Sequence, residues 1–103
     1  MAYEDLSFKF VDTYGAEQST MMGTPCLRYK GQFFAMMFEK EDALIIKVSK
    51  ARVLELIENG LGREFNFTKK KFKEWVLIPE TYENQYETLM LEALDYAKKK
   101  IAA

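Results

Sequence analysis

The stretch Gln32-Phe33-Phe34-Ala35-Met36-Met37-Phe38-Glu39, followed by Lys40-Glu41-Asp42 and then Ala43-Leu44-Ile45-Ile46-Lys47-Val48, decides the fold. Its first part is a continuous apolar run too short for a buried helix and bounded by turn signals. That pattern fits a central strand covered on at least part of both faces. The charged triplet reads as a turn, and Ala43–Val48 reads as the next strand. Upstream, Glu17–Met22 reads as a strand and Gly23-Thr24-Pro25 as a break. Cys26–Tyr29 reads as extended, with a turn at Lys30-Gly31. A meander of antiparallel strands therefore fills the first half of the chain.

Helical periodicity flanks this meander. Leu6, Phe10 and Tyr14 recur every four residues with Val11 beside them, which predicts a helix over Tyr3–Tyr14 stopped by Gly15. Ser49 is placed to N-cap a second helix, with Val53, Leu56 and Ile57 as its buried stripe, Leu54 on the flank and Gly60 at its end. Phe65 and Phe67 alternate with Glu64 and Asn66, the signature of a half-buried strand. Lys69–Lys73 is a basic connection. Trp75–Ile78 is a short strand stopped by Pro79. Tyr82, Tyr86, Leu89, Met90, Ala93, Leu94, Ala97 and Ile101 form the stripe of a closing helix. Lys98, Lys99 and Lys100 sit in its last turn, at the negative end of the helix dipole. The order α-β-β-β-β-α-β-β-α, with helices interrupting an antiparallel sheet, is an α+β fold: two layers, with the helices packed on one face of the sheet.

The bulk numbers agree with one domain over residues 1–103. A chain of this length buries roughly two thirds of its unfolded surface and needs no staple. With 49% hydrophobic and 30% charged residues, the balance is globular rather than disordered. A net charge of −1 argues against bulk attraction to nucleic acid or anionic lipid. No segment reaches the ~18 apolar residues of a membrane span, and the start lacks a signal-peptide pattern. A single cysteine, Cys26, forms no internal disulfide, so a reducing, cytoplasmic setting is expected. The chain has no histidine, which removes Ser-His-Asp and Cys-His catalysis and histidine-ligated zinc. Nothing in the spacing implies a cofactor, a metal or an enzymatic role. Gly60-Leu61-Gly62 follows a helix instead of opening one, unlike a phosphate loop, and Glu39, Glu41 and Asp42 lack calcium-loop spacing.

The stretch Met22-Gly23-Thr24-Pro25-Cys26-Leu27, with Gly31-Gln32-Phe33-Phe34-Ala35, resembles the amino-terminal domain of the TfoX/Sxy family. So do Leu44–Val48 leading into the middle helix, Gly62-Arg63-Glu64-Phe65, and Lys73-Glu74-Trp75-Val76-Leu77-Ile78-Pro79 leading into the last. The resemblance covers nearly everything after the first helix, and the MmcQ/YjbR-like proteins are the nearest alternative. It implies a non-enzymatic interaction or regulatory domain of bacterial type, with no catalytic residues to carry over. Some TfoX-type proteins regulate natural competence, and their full-length forms carry a second, carboxy-terminal domain. This sequence ends after its last helix, so the expectation is a stand-alone interaction domain rather than a complete competence regulator.

Three constellations stand out. Arg63, Lys69, Lys71, Lys73 and Trp75, with Lys70, Phe65, Phe67 and Phe72 interleaved, have the form of a single-strand nucleic-acid surface, in which cations follow phosphates and rings stack on bases. The competing reading is a strand pair with buried aromatics and a solvated lysine turn, which is what charge runs usually are. Cys26, Lys47 and Trp75 are candidates for a small-molecule site, with Glu74 and Lys73 beside Lys47 at a polar mouth; Cys26 alone is more commonly a small buried hydrophobe. The methionine-rich stretch Phe33–Phe38 with Met21 and Met22 has the composition of an adaptable interface. A protein partner or a homodimer is therefore expected ahead of nucleic acid.

Overall fold

A computed structural model describes residues 2–21, 23–65 and 73–102. Among them the elements are α1 (Ala2–Tyr14), β1 (Glu17–Met21), β2 (Thr24–Tyr29), β3 (Gln32–Phe38), β4 (Ala43–Lys47), α2 (Lys50–Glu58), β5 (Arg63–Glu64), β6 (Trp75–Pro79) and α3 (Tyr86–Ala102). The strands form one antiparallel sheet in the order β1-β2-β3-β4-β6-β5. The first four follow one another as the predicted meander. After α2 the chain lays down β5 at the far edge, and β6 returns between β4 and β5. The α+β order and the two-layer arrangement expected from the sequence are both present.

The sheet has two apolar faces. Toward the helices point Leu27, Phe34, Ala35, Leu44, Ile46, Val76 and Ile78, packed against Tyr3 and Phe10 of α1, Val53 and Leu56 of α2, and Leu89, Met90 and Leu94 of α3. The opposite face carries Cys26, Phe33, Met36, Ile45, Phe65, Trp75 and Leu77 as a second buried cluster. Strand alternation alone puts Phe34 and Ala35 on opposite sides. A bulge changes that: Leu27 pairs with Ala35 and Arg28 with Phe33, leaving Phe34 as the extra residue. Both side chains thereby turn into the helix layer.

Local chemistry explains the element ends. The β2–β3 turn has positive φ at both Lys30 (47°) and Gly31 (85°), the two-residue hairpin geometry that matches strand twist. The Ser49 hydroxyl accepts from the Arg52 N–H at 3.2 Å, capping α2 as expected. At its other end the Gly60 N–H donates to the Ile57 carbonyl at 3.1 Å and the Leu61 N–H to the Leu56 carbonyl at 3.0 Å, a Schellman motif. The structure moves two expected boundaries. Only Gly23 of the Gly23-Thr24-Pro25 break turns; Thr24 and Pro25 already belong to β2, because proline is tolerated at the start of a strand. The last helix begins at Tyr86, not Tyr82. A 3-10 stretch, Glu80–Gln85, precedes it, with Tyr82 non-helical at φ −107°. The buried Tyr86 hydroxyl donates to the Ile78 carbonyl at 3.1 Å, pinning the helix start to the end of β6. Finally, β5 covers Arg63–Glu64, and Asn66 and Phe67 of the expected strand lie outside the described residues.

Phe33–Met37 is central and buried on both faces, so the methionine-rich stretch is core and not an exposed interface. Met22, its expected neighbour, lies outside the described residues. No helix among the described residues is long and apolar enough to cross a membrane.

Gly62 sets the approach of α2 to the sheet. A Cβ there would lie 2.6 Å from Val76 Cγ2 and 3.2 Å from Leu56 Cβ. Gly62→Ala is therefore expected to destabilise the fold by about 1–3 kcal/mol, read as a lower urea midpoint with an unchanged slope.

Candidate functional site

The strand parity that builds the second sheet face also decides the fate of the basic-aromatic segment. Trp75 and Leu77 share a face of β6, and Phe65, just past β5, joins it. Phe65 is 2% exposed and Trp75 6%, with ring centroids 5.3 Å apart, and Phe33 lies 4.9 Å from Trp75. Rings packed this way show only their margins to the adjoining groove, which leaves little face for stacking on a base. Arg63 and Lys73 are exposed. Lys69 and Lys71, together with Phe67, Lys70 and Phe72, lie outside the described residues.

The residues expected to form a small-molecule site are not brought together. Lys47 and Trp75 are direct partners across β4 and β6, but β3 and β4 separate Cys26 on β2 from Trp75. Three strand spacings make that roughly 14 Å. Cys26 lines a shallow depression with Tyr3, Ser7 and Ser19, whereas Trp75 lines a groove beside α2. The Lys47 ammonium lies 3.9 Å from Glu74, so the expected mouth for an anion holds its own carboxylate.

Cys26 is 2% exposed. Burial pushes its thiol up, against weaker opposing effects from Arg28 and Ser19. It is thus held as the protonated, unreactive form.

Glu74 is the centre of a cluster the sequence did not reveal. Its carboxylate accepts from the Tyr96 hydroxyl and from Lys100 Nζ at 3.4 Å, with Lys47 on the other side. Tyr96 and Lys100 are one turn apart on α3, the only hint in the sequence. Burial pushes the Glu74 carboxyl up, but Tyr96, Lys100 and Lys47 together outweigh it, and the net direction is down. The bond to Glu74 raises Tyr96 in turn. Nearby, Arg52 on α2 makes a two-pronged pair with Glu92 on α3, both bonds 2.9 Å. These charges satisfy one another and clamp α3 to the sheet and to α2. Lys98, expected only to meet the helix dipole, also sits 5.4 Å above the Tyr29 ring.

Among the described residues, two further recesses lie beside the helices α1 and α2. One, of about 330 Å³, lies between α1 and the sheet and is lined by Tyr3, Glu4, Ser7, Phe8, Gln18, Pro25, Met37 and Glu39. The other, of about 380 Å³, lies where α2 overhangs β5 and β6; Val53, Leu54, Ile57, Phe65 and Trp75 form its walls, with Lys50, Lys73 and Glu64 on the rim. Its predominantly apolar walls with a few charged groups at the margin are the composition of a docking site. Leu54 is 62% exposed at its lip. The sequence signal was Leu54 itself, one position off the buried stripe of α2. Among the described residues no group of three or more His, Cys, Asp or Glu could hold a metal ion.

Set against protein-family models, curated proteins and solved structures, the chain matches none.

Two outcomes follow from the titratable groups. Cys26 is expected to react with a thiol reagent only at the rate of global unfolding, with immediate labelling in denaturant. For Glu74 the folded-state pKa is lowered, so its stabilisation is fully present above the ordinary value of 4.5 and is lost as pH falls through the folded value. Urea titrations should show Glu74→Gln less stable than the parent at pH 7, by up to about 1 kcal/mol for so exposed a cluster. The gap should close on acidification below that range.

Proposed function

We propose that this chain is a non-enzymatic protein-interaction domain, regulatory in the sense implied by its resemblance to the TfoX amino-terminal domain. Its docking surface is the groove between α2 and the β5–β6 edge. The observation that carries this reading is an apolar groove with an exposed leucine at its lip and lysines on its rim. Such a surface suits a helix laid into a groove, where one large apolar side chain anchors the contact and flanking charges set orientation. Lys50 and Lys73 outnumber Glu64 on the rim and favour acidic flanks. The polar residues that do converge, around Glu74 and Arg52, are engaged with one another, which supports binding over catalysis.

Selection from a displayed library of helical peptides tests this directly. Sequences enriched on the parent protein and lost on Leu54→Glu are expected, each with an aromatic or large aliphatic residue beside acids. Equal enrichment on both proteins, or none on either, would sink the reading.

A further inference from the structure

We infer that the segment received by the α2 groove is α1 of a second copy of this chain, with Phe8 as its anchor. This rests on the groove-docking reading above and names the occupant. Phe8 and Leu54 are the two most exposed large apolar side chains among the described residues, at 67% and 62%. Each is half of a contact. Phe8 projects from a helix whose inner side is already committed, since Tyr3 and Phe10 are buried in the core. Helical spacing puts Glu4 one turn before Phe8, Asp12 one turn after, and Asp5 beside it. All three are exposed, and Lys9, the one cation of α1, is paired with Glu87 of α3. An aromatic knob among carboxylates is thus available on one side of the molecule.

The groove is its complement: apolar walls, Leu54 at the lip, and Lys50 and Lys73 outnumbering Glu64 on the rim. Acids around the knob and lysines around the hole favour this pairing over hole-to-hole contact, which would oppose like charges. The two surfaces do not meet within one molecule. α1 packs beside β1, at one edge of the sheet, and the groove lies beside β5 and β6, at the other. The contact is therefore between copies and heterologous: a knob on one meets a hole on the next.

Two surface variants, Phe8→Glu and Leu54→Glu, separate the halves of the contact. Both positions are exposed, so circular dichroism and urea midpoints should match the parent. Light scattering over a concentration series is expected to show the parent gaining mass, less so at high salt. Each variant alone should associate at least about tenfold more weakly, as for loss of a central anchor. An equimolar mixture should regain a heterodimer, because Phe8→Glu keeps an intact hole and Leu54→Glu an intact knob. Trp75, the chain's single tryptophan, lines the hole, and its emission should shift on mixing. A parent that stays monomeric to millimolar concentration overturns the inference, as do variants that associate like the parent or a mixture that stays monomeric. If peptide selection still succeeds in those cases, the groove reading stands and only the occupant is wrong. If selection fails as well, the reading falls with it.

Discussion

Burial of β3 and β4 on both faces is the constraint from which the rest of the structure follows. Phe34, Ala35, Met36, Leu44, Ile45 and Ile46 are all fully shielded from solvent. Strands with no polar side must be covered twice. Three helices cover one face, and Phe33, Phe65 and Trp75 gather on the other. At roughly 1.5–3 kcal/mol for each large aliphatic or aromatic side chain removed from water, this double burial outweighs any single surface contact. The bulge at Phe34 serves the same demand by adding a ring to the helix layer that regular alternation would have denied it.

The three helices are held to the sheet to different degrees. α3 is held to the sheet and to its neighbours at several points: Tyr86 on the Ile78 carbonyl, Tyr96 and Lys100 on Glu74, Glu92 on Arg52 and Glu87 on Lys9. α2 is only nine residues long and fully buries just Val53 and Leu56. Beside it lie β5, Arg63–Glu64, and β6. Leu54 stands at the lip of the groove between them. The same contacts bring Glu74, Lys47, Tyr96 and Lys100 together on one side of α3, and Arg52 and Glu92 on another.

The aromatic residues between 63 and 75 illustrate how one pattern carries two meanings. Rings alternating with cations can be a nucleic-acid surface or a strand with its back to the solvent. The difference lies in which side of β6 faces apolar neighbours. Ile45, directly opposite Leu77, and Phe33, against Trp75, decide it in favour of the interior for Phe65 and Trp75. No reading confined to residues 63–75 contains that information.

By itself the sequence determined the elements, their order and most of their ends. Each is a local matter: the apolar period of a helix, the two-sided run of β3, the Ser49 cap, the glycine after α2. These depend on contacts within a few residues, and a linear chain displays them. The tertiary structure alone decided that β6 enters between β4 and β5, that Trp75 faces inward, that Cys26 and Lys47 belong to different neighbourhoods, and that Glu74 meets Tyr96. Each depends on residues far apart in sequence, whose meeting is set by the competition to cover the two faces of one sheet. The Leu54 groove shows the same division: a leucine beside a buried stripe was visible in the sequence, but that Phe65 and Trp75 face it was not.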